Sequence, residues 1–319
     1  MKVLRDGDGF ATRGRRSVVG VGVFDGLHLG HQKVIGRVLS LARDHGALAS
    51  IVTFDPHPAS VLAPENAPRL IGTLDQRLEG FAALGVEQVR IVTFDHELAS
   101  ESATSFVERV LVGELRARDV VVGRDFRFGH ERSGDVGLLE REGVTHDFGV
   151  FVAPIYGAAT RWSSTVVRQA LRDADLDLAN SILGRPFTLR ARVVHGDARG
   201  GDLGYPTANL LAAPSQLLPG SAIYAGAVRL ADRSWWPAAI SVGTRPQFYE
   251  SGDLLVEVHV LGFDGDLYGA EIDVAFIEHL RAEMTFADVG QLVDQIARDV
   301  EQTAEVFKKF SPDDSALLE

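Results

Sequence analysis

The 319-residue sequence contains no cysteine. That excludes disulfides, thiolate zinc sites, iron–sulfur clusters and cysteine nucleophiles. No apolar run reaches the ~18 residues a membrane-crossing helix needs. The N-terminal cations Arg5, Arg13, Arg15 and Arg16 are followed by no apolar stretch of signal-peptide length. Positive charge is also scarce, with 32 Lys and Arg against 44 Asp and Glu and a formal net charge of −12. A duplex-binding surface needs a basic face, so nucleic acid is not an expected partner, although a local basic pocket for a nucleotide is compatible. The G-x-G-x-x-G fingerprint and the G-x-x-x-x-G-K-[ST] loop are both missing, which argues against a nicotinamide enzyme and a Walker A nucleotidase. These absences lead us to expect a soluble cytoplasmic protein with no membrane partner, a monomer or weak homo-oligomer.

What is present is an ordinary globular balance, 45% hydrophobic and 24% charged, with 33 glycines. The length predicts two domains. In the first half, short apolar runs alternate with helical stripes. SVVGVGVF, ALASIVTF, VEQVRIVTF, Asp119–Gly123 and Asp147–Ala153 read as strands. Between them, Val34, Ile35, Val38, Leu39 and Leu41 fall on one helical stripe, Leu74, Leu78, Phe81 and Leu84 on another, and SATSFVERVLVGEL on a third. This rhythm predicts βαβ units and an open parallel sheet. After Gly184 the rhythm changes. FTLRARVVHGD, AIYAGAVRL, WPAAISVGT, LLVEVHVLGF and EIDVAFIEHL are strand-like, and their spacers are rich in turn residues. That pattern predicts a small antiparallel barrel, followed by a terminal helix over Phe286–Phe310. The expected domains are therefore 1–183 and 184–319.

The strongest local signal is GVFDGLHLGH, Gly22 to His31, where the first strand gives way to the first helix. Ligands of open α/β sheets bind at the carboxyl ends of strands. A helix N-terminus there offers free N–H groups and partial positive charge to an anion. His28 and His31 are three apart and lie on one side of that first turn, placed to hydrogen-bond triphosphate oxygens and to stabilise a departing pyrophosphate. TFDPHP, Thr53 to Pro58, follows the second strand and offers Phe54 and two prolines as an apolar wall for a flat ring. GRDFRFG, Gly123 to Gly129, mixes aromatics with Arg124 and Arg127 after the fourth strand. WSSTVVR places Ser163, Ser164 and Thr165 at a helix start ahead of Arg168; such a cluster also reads as a helix N-cap.

In the second half, GDARGGDLGYPTANL carries Gly196, Gly200, Gly201 and Gly204, which let backbone close over phosphates. Its Thr207 and Asn209 offer neutral hard oxygen ligands suited to Mg²⁺, with ATP phosphates completing the shell. Glu257 is the odd residue in the apolar strand LLVEVHV. It reads either as a solvent-facing strand position or as a general base toward a substrate hydroxyl.

Taken in order, GVFDGLHLGH, TFDPHP, GRDFRFG, SSTVVR, GDARGGDLGYPTAN, VEVHV and FDGDLYG make the chain resemble the bacterial bifunctional riboflavin kinase/FAD synthetase family over roughly residues 17–305. The resemblance implies an N-terminal Rossmann-like nucleotidyltransferase domain that adenylates FMN and a C-terminal flavokinase barrel that phosphorylates riboflavin. It implies riboflavin, FMN, FAD and ATP as small-molecule partners and Mg²⁺ as cofactor. By motif, His28, His31, Ser164, Thr165 and Arg168 handle ATP phosphates, with Gly22, Phe24, Asp25, Gly26 and Gly30 of the first stretch. Phe54, Pro56, Pro58, Asp125 and Phe128 line the flavin side. In the kinase half, Gly196, Gly200 and Gly204 close on phosphates, Thr207 and Asn209 hold Mg·ATP, and Glu257 is the base. The chain departs from the family at Arg245, where an amide is usual, at Ala222, where glycine is usual, and at Trp162, where isoleucine is usual. The altered Arg245 loop motivates an alternative, a diverged paralogue with only FMN, or flavin-analogue, adenylyltransferase activity.

Overall fold

The β-branched runs of the first half form a six-stranded sheet in which every neighbouring pair is parallel. Its strands are β1 (Lys2–Leu4), β2 (Ser17–Val21), β3 (Leu48–Asp55), β4 (Gln88–Thr93), β5 (Ala117–Gly123) and β6 (Gly149–Ala153), in the order β1-β4-β3-β2-β5-β6. The three-residue edge strand β1 escaped the periodicity reading because it is too short to show a period. The helices are α1 (Leu29–His45), α2 (Pro58–Leu62), α3 (Leu74–Ala83), α4 (His96–Ser100), α5 (Ala103–Phe106) and α6 (Val136–His146). The stretch read as one helix, SATSFVERVLVGEL, becomes α5 followed by a π-helix, Val107–Glu114. Its Val107, Val110 and Leu111 enter the core, as they would from one face of an ordinary helix.

Every residue of β2 is buried, as in strands covered on both faces. Ile35, Val38 and Leu41 of α1 and Phe81 of α3 cover one face against Val18, Ile51 and Val89. The π-helix and Leu139 cover the other, against Val19, Val52 and Val120. With β3 on one side of β2 and β5 on the other, the strand order reverses at β2. That switch point is where open α/β sheets bind ligands.

The second half holds α7 (Ser164–Arg172), α8 (Leu176–Leu183), strands β7 (Phe187–Val194), β8 (Ala208–Ala212), β9 (Ala222–Arg229), β10 (Trp235–Thr244), β11 (Leu254–Val260) and β12 (Glu271–Arg281), and α9 (Val289–Lys309). The strands close an antiparallel barrel in the order β10-β11-β8-β7-β12-β9. Strand β8 is absent from the strand-like runs of the sequence because Pro206 precedes it and Asn209 interrupts it. Along β11, Val256, Val258 and Val260 are buried while Leu255, Glu257 and His259 are half-buried, the alternation of a strand with one face in a core. The predicted terminal helix forms as α9, with Asp288 as its N-cap.

This computed structural model describes residues 1–8, 14–157, 160–195, 203–244 and 254–311. Gly196, Gly200, Gly201 and Arg245 lie outside the described residues. The chain divides into two compact units, Met1–Pro68 with Leu74–Trp162 and Arg69–Thr73 with Ser163–Ala316. The boundary expected at 183/184 therefore differs from the division by packing. Helices α7 and α8 group with the barrel, where the Asn180 Oδ1 accepts from Phe187 N (2.7 Å) and its Nδ2 donates to Phe276 O (3.0 Å).

Candidate functional site

In the first unit the site is built at the end of β2. Gly22 N still bonds Val52 O at 3.1 Å, and the backbone then leaves the sheet. Phe24 (φ 57), Gly26 (φ 79) and Leu27 (φ 45) are all left-handed. Such non-glycine positions carry about 1–3 kcal/mol of strain each and persist only where neighbours fix them. Here the Phe24 ring is buried against Phe81 (5.6 Å) and His31 (5.3 Å), and Gln32 Nε2 donates to Leu27 O at 2.9 Å. Asp25 and Gly26 are buried in the same turn.

His28 is the N-cap of α1 rather than a residue within it. Its Nδ1 accepts from His31 N at 3.3 Å. In the neutral ring this leaves Nε2 as the protonated nitrogen. The His28 and His31 rings stack at 3.6 Å between centroids, so the structure brings the two predicted histidines into direct contact. His28 is only 5% exposed. Gly30 makes this possible, because a Cβ there would stand 3.0 Å from His28 Cε1 and 3.1 Å from Nδ1.

The aromatic side of the site is a chain of rings. Phe54 packs with Phe94 (6.1 Å) and Phe106 (6.3 Å), Phe106 with Phe128 (5.9 Å), and Phe128 with Phe126 (5.3 Å). Phe128 is 8% exposed and belongs to the core. Phe54 and Phe126 are the partly buried rings packed against that core. Gly129 (φ 71) is required beneath them, since a Cβ there would lie 2.6 Å from the Ala103 backbone. Pro56 follows a cis peptide bond and is exposed, and Pro58 opens α2. Asp125 is exposed and ion-paired with Arg161. Partial burial raises the Asp125 carboxyl, but the Arg161 bond, a backbone N–H and the nearby cations outweigh it, and the net direction is downward.

Ser164, Thr165 and Arg168 fall in the second unit. Ser163 is the N-cap of α7 and accepts from Val166 N at 3.3 Å. Arg168 is buried and its Nε donates to Arg69 O at 2.8 Å.

In the barrel, β11 and β8 pair so that Glu257 stands opposite Asn209, and β10 places Ser241 opposite Glu257 on its other side. Residues paired this way share a face. Asn209 is 5% exposed although it lies on the face away from the buried valines, so that face is covered there. His259 shares it, and its Nδ1 bonds Pro206 O at 2.8 Å, immediately before Thr207. Tyr205 packs edge-on against the same ring at 5.6 Å. Gly204 (φ 83) is left-handed. Asn209 thus stands opposite a carboxylate, with Thr207 two residues ahead of it, and the amide and hydroxyl are hard oxygens of the type that suits a divalent cation carried with nucleotide phosphates. Among the described residues no three His, Cys, Asp or Glu gather to hold a metal by themselves.

Four residues of these sites were missed in the sequence. His259 carries a signal in VEVHV, sharing Glu257's face. Arg161 is a cation just ahead of the Ser-Ser-Thr cap. Phe126 lies inside a motif already singled out. Arg77 is a charge set inside the apolar stripe Leu74, Leu78, Phe81.

The FAD synthetase family model matches residues 11–166, and the riboflavin kinase family model matches residues 183–307. A bifunctional riboflavin kinase/FMN adenylyltransferase of Pseudomonas fluorescens is 37% identical over 94% of this chain and 96% of its own length. That of Escherichia coli K12 is 38% identical over 92% of this chain and 94% of its own. A crystal structure described as a macrolide-efflux protein from Streptococcus pneumoniae superposes with a TM-score of 0.82 at 29% identity, covering 95% of this chain and 99% of that one. Among the described residues of this chain, no helix is long and apolar enough to cross a membrane. The chain belongs to the bifunctional riboflavin kinase/FMN adenylyltransferase family.

Proposed function

We propose that the chain performs two successive phosphorus transfers, riboflavin to FMN in the barrel and FMN to FAD in the parallel-sheet unit, with sites divided as 184–319 and 1–183. The observation that carries this reading is the succession of both enzyme families along one chain, each matching a stretch with the fold its chemistry uses.

In the barrel, Glu257 takes the proton of the riboflavin 5′-hydroxyl, and the freed oxygen attacks the γ-phosphorus of ATP as ADP departs. Positioning and charge stabilisation carry most of such a reaction. Thr207 and Asn209 are the residues for Mg²⁺, which when bound with ATP neutralises phosphate charge. Gly204, left-handed ahead of Thr207, is assigned to the ATP phosphates, as by motif are Gly196 and Gly200, which lie outside the described residues.

In the first unit the FMN phosphate is already an anion, so its attack on the α-phosphorus of ATP needs no base. The requirement is positive character where pyrophosphate departs. The α1 N-terminus and the His28/His31 stack are the groups of this unit that we assign to it, with the glycines at 22, 26 and 30 giving the phosphates close access; Ser164, Thr165 and Arg168, which belong to the second unit, are assigned to ATP phosphates by motif alone. Phe54, Pro56, Pro58, Asp125 and Phe128 are assigned to the flavin, with Phe126 the more accessible ring of its pair.

The test is incubation with riboflavin, ATP and Mg²⁺ followed by chromatography. FMN appearing first and FAD after it supports the reading. FAD formed from supplied FMN, with no FMN formed from riboflavin, refutes the kinase half and leaves a single-activity adenylyltransferase.

A further inference from the structure

One buried charge in the first unit has no place in the chemistry above. Arg77 lies in the second turn of α3 and is 3% exposed. Burial pulls its guanidinium below the ordinary arginine value, and the charges of Asp25 and Asp55 push it back up. Burying an arginine is expensive unless its donors are used, so where those donors go is informative.

Those of Nη1 go to the loop after β2 and to the last residues of β3, while Nε has no hydrogen-bond partner among the described residues. Nη1 donates to Val23 O at 2.8 Å and to Thr53 Oγ1 at 3.3 Å, and reaches Phe54 O at the long limit of 3.5 Å. Nη2 stands 4.0 Å from the Asp55 carboxylate. Val23 lies just beyond the last sheet pairing of β2, so its carbonyl has no strand partner and needs a donor from elsewhere. It receives two, because Thr53 Oγ1 also donates to it at 3.0 Å. The next residue, Phe24, starts the run of left-handed backbone that ends at the His28 cap. One turn further along α3, Phe81 packs on the Phe24 ring at 5.6 Å. Helix α3 therefore grips the loop after β2 at successive residues, by charge at Val23 and by a ring at Phe24.

We propose that Arg77 is a positioning residue for FMN adenylylation: one guanidinium ties the loop after β2, at the Val23 carbonyl, to the C-terminal end of β3, at Thr53 and Phe54, and so fixes the His28/His31 stack against the Phe54–Pro58 segment. The inference rests on the reading that this loop is the adenylylation site. Arginine suits the task because its planar fork serves several acceptors at once, whereas a lysine ammonium is a point donor. The strain at Phe24 and Leu27 makes such a tie necessary, since an unheld left-handed loop relaxes.

The experiment compares Arg77→Lys, Thr53→Val and the double variant in the full chain. It measures kcat and both KM values for FAD formation from FMN and ATP. Riboflavin phosphorylation by the same preparation serves as the folding control, and all rates are taken well below each melting point. Arg77→Lys keeps the charge and loses the bridge, so kcat is expected to fall about 10- to 100-fold, with both KM values within about three-fold and the kinase rate unchanged. Thr53→Val should lower kcat less, and the double variant should be no worse than Arg77→Lys alone, because both residues act through one carbonyl. Adenylylation within about two-fold of the parent, or losses that simply multiply in the double variant, overturns the proposal. Should Arg77→Lys fail to fold, Thr53→Val decides: a lower kcat at unchanged KM supports the tie, and unchanged kinetics refutes it. His28→Ala with His31→Ala separates the two levels. If FAD formation survives that pair, the site reading is wrong; if it is lost while Arg77→Lys is silent, only the role of Arg77 is wrong.

Discussion

Replacing Gly30 with alanine probes the histidine stack without replacing either imidazole. Gly30 lies in the first turn of α1 and its φ is not positive, so alanine suits the backbone and gains up to about 1 kcal/mol of helix propensity. The added methyl would stand 3.0 Å from His28 Cε1 and 3.1 Å from Nδ1, so the ring must retreat by a few tenths of an ångström. The cap bond it makes to His31 N is already 3.3 Å long, and weakening it forfeits part of the ~0.5–2 kcal/mol an N-cap supplies. The two effects oppose each other, and the net change in stability is within about 1 kcal/mol. Catalysis has no such offset. Since a misplacement of ~1 Å can cost ~100-fold in rate, a shift of a few tenths predicts a loss of about 3- to 10-fold. The assay is FAD formation from FMN and ATP, with riboflavin phosphorylation measured beside it and a thermal melt of each protein. FAD formation at the parental rate refutes the reasoning, as does an equal loss in both activities.

Three further outcomes follow from the geometry. Glu257→Gln should abolish FMN formation from riboflavin and spare FAD formation from supplied FMN; unchanged FMN production removes Glu257 as the base. A fragment starting at Ser163 should fold and phosphorylate riboflavin, whereas one starting at Gly184 loses α8 with its buried Leu176, Ile182 and Leu183. At ~1.5–3 kcal/mol per buried aliphatic side chain, the shorter fragment should be destabilised by about 5 kcal/mol, and coincident urea midpoints would refute that. The Asp125 carboxyl is shifted downward, so its pairing with Arg161 contributes fully above the ordinary carboxylate value near ~4 and is lost as pH falls through the lower folded value. The stability gap between the parent and Asp125→Asn should therefore be flat from about pH 5 to 8 and close in stronger acid; a gap that persists into strong acid contradicts it.

Much of this architecture is legible because burial writes itself into composition. Strands covered on both faces, such as Ser17–Val21, must be continuously apolar, and β11 must alternate because only one of its faces enters the core. Strand β8 is illegible because Pro206 just before it and Asn209 within it are poor strand signals, and neighbouring strands impose the extended form. The π-helix was illegible because its apolar spacing also fits an ordinary helix. At the site, sequence supplied His28 and His31 but not that one caps the helix while the other stacks on it. That depends on the left-handed turn at Phe24–Leu27, which is stabilised by α3, a helix remote in sequence. Arg77 was hidden for the same reason, since its shortest bond is to the Val23 carbonyl, and a carbonyl has no letter in the sequence.

The closure of the barrel also has a consequence for the order in which the protein is made. Strand β12 sits between β7 and β9, pairing Phe276 with Phe187 and Val274 with both Leu189 and Val228. Until β12 has emerged from the ribosome, β7 and β9 each present an unpaired edge, and such edges recruit other strands. The parallel sheet needs nothing beyond β6, so its strands can assemble while the barrel's last stave is still being synthesised, at roughly 5–20 residues per second. The two activities of one polypeptide are thus born at different times, and the half that consumes FMN can be folded before the half that makes it has closed.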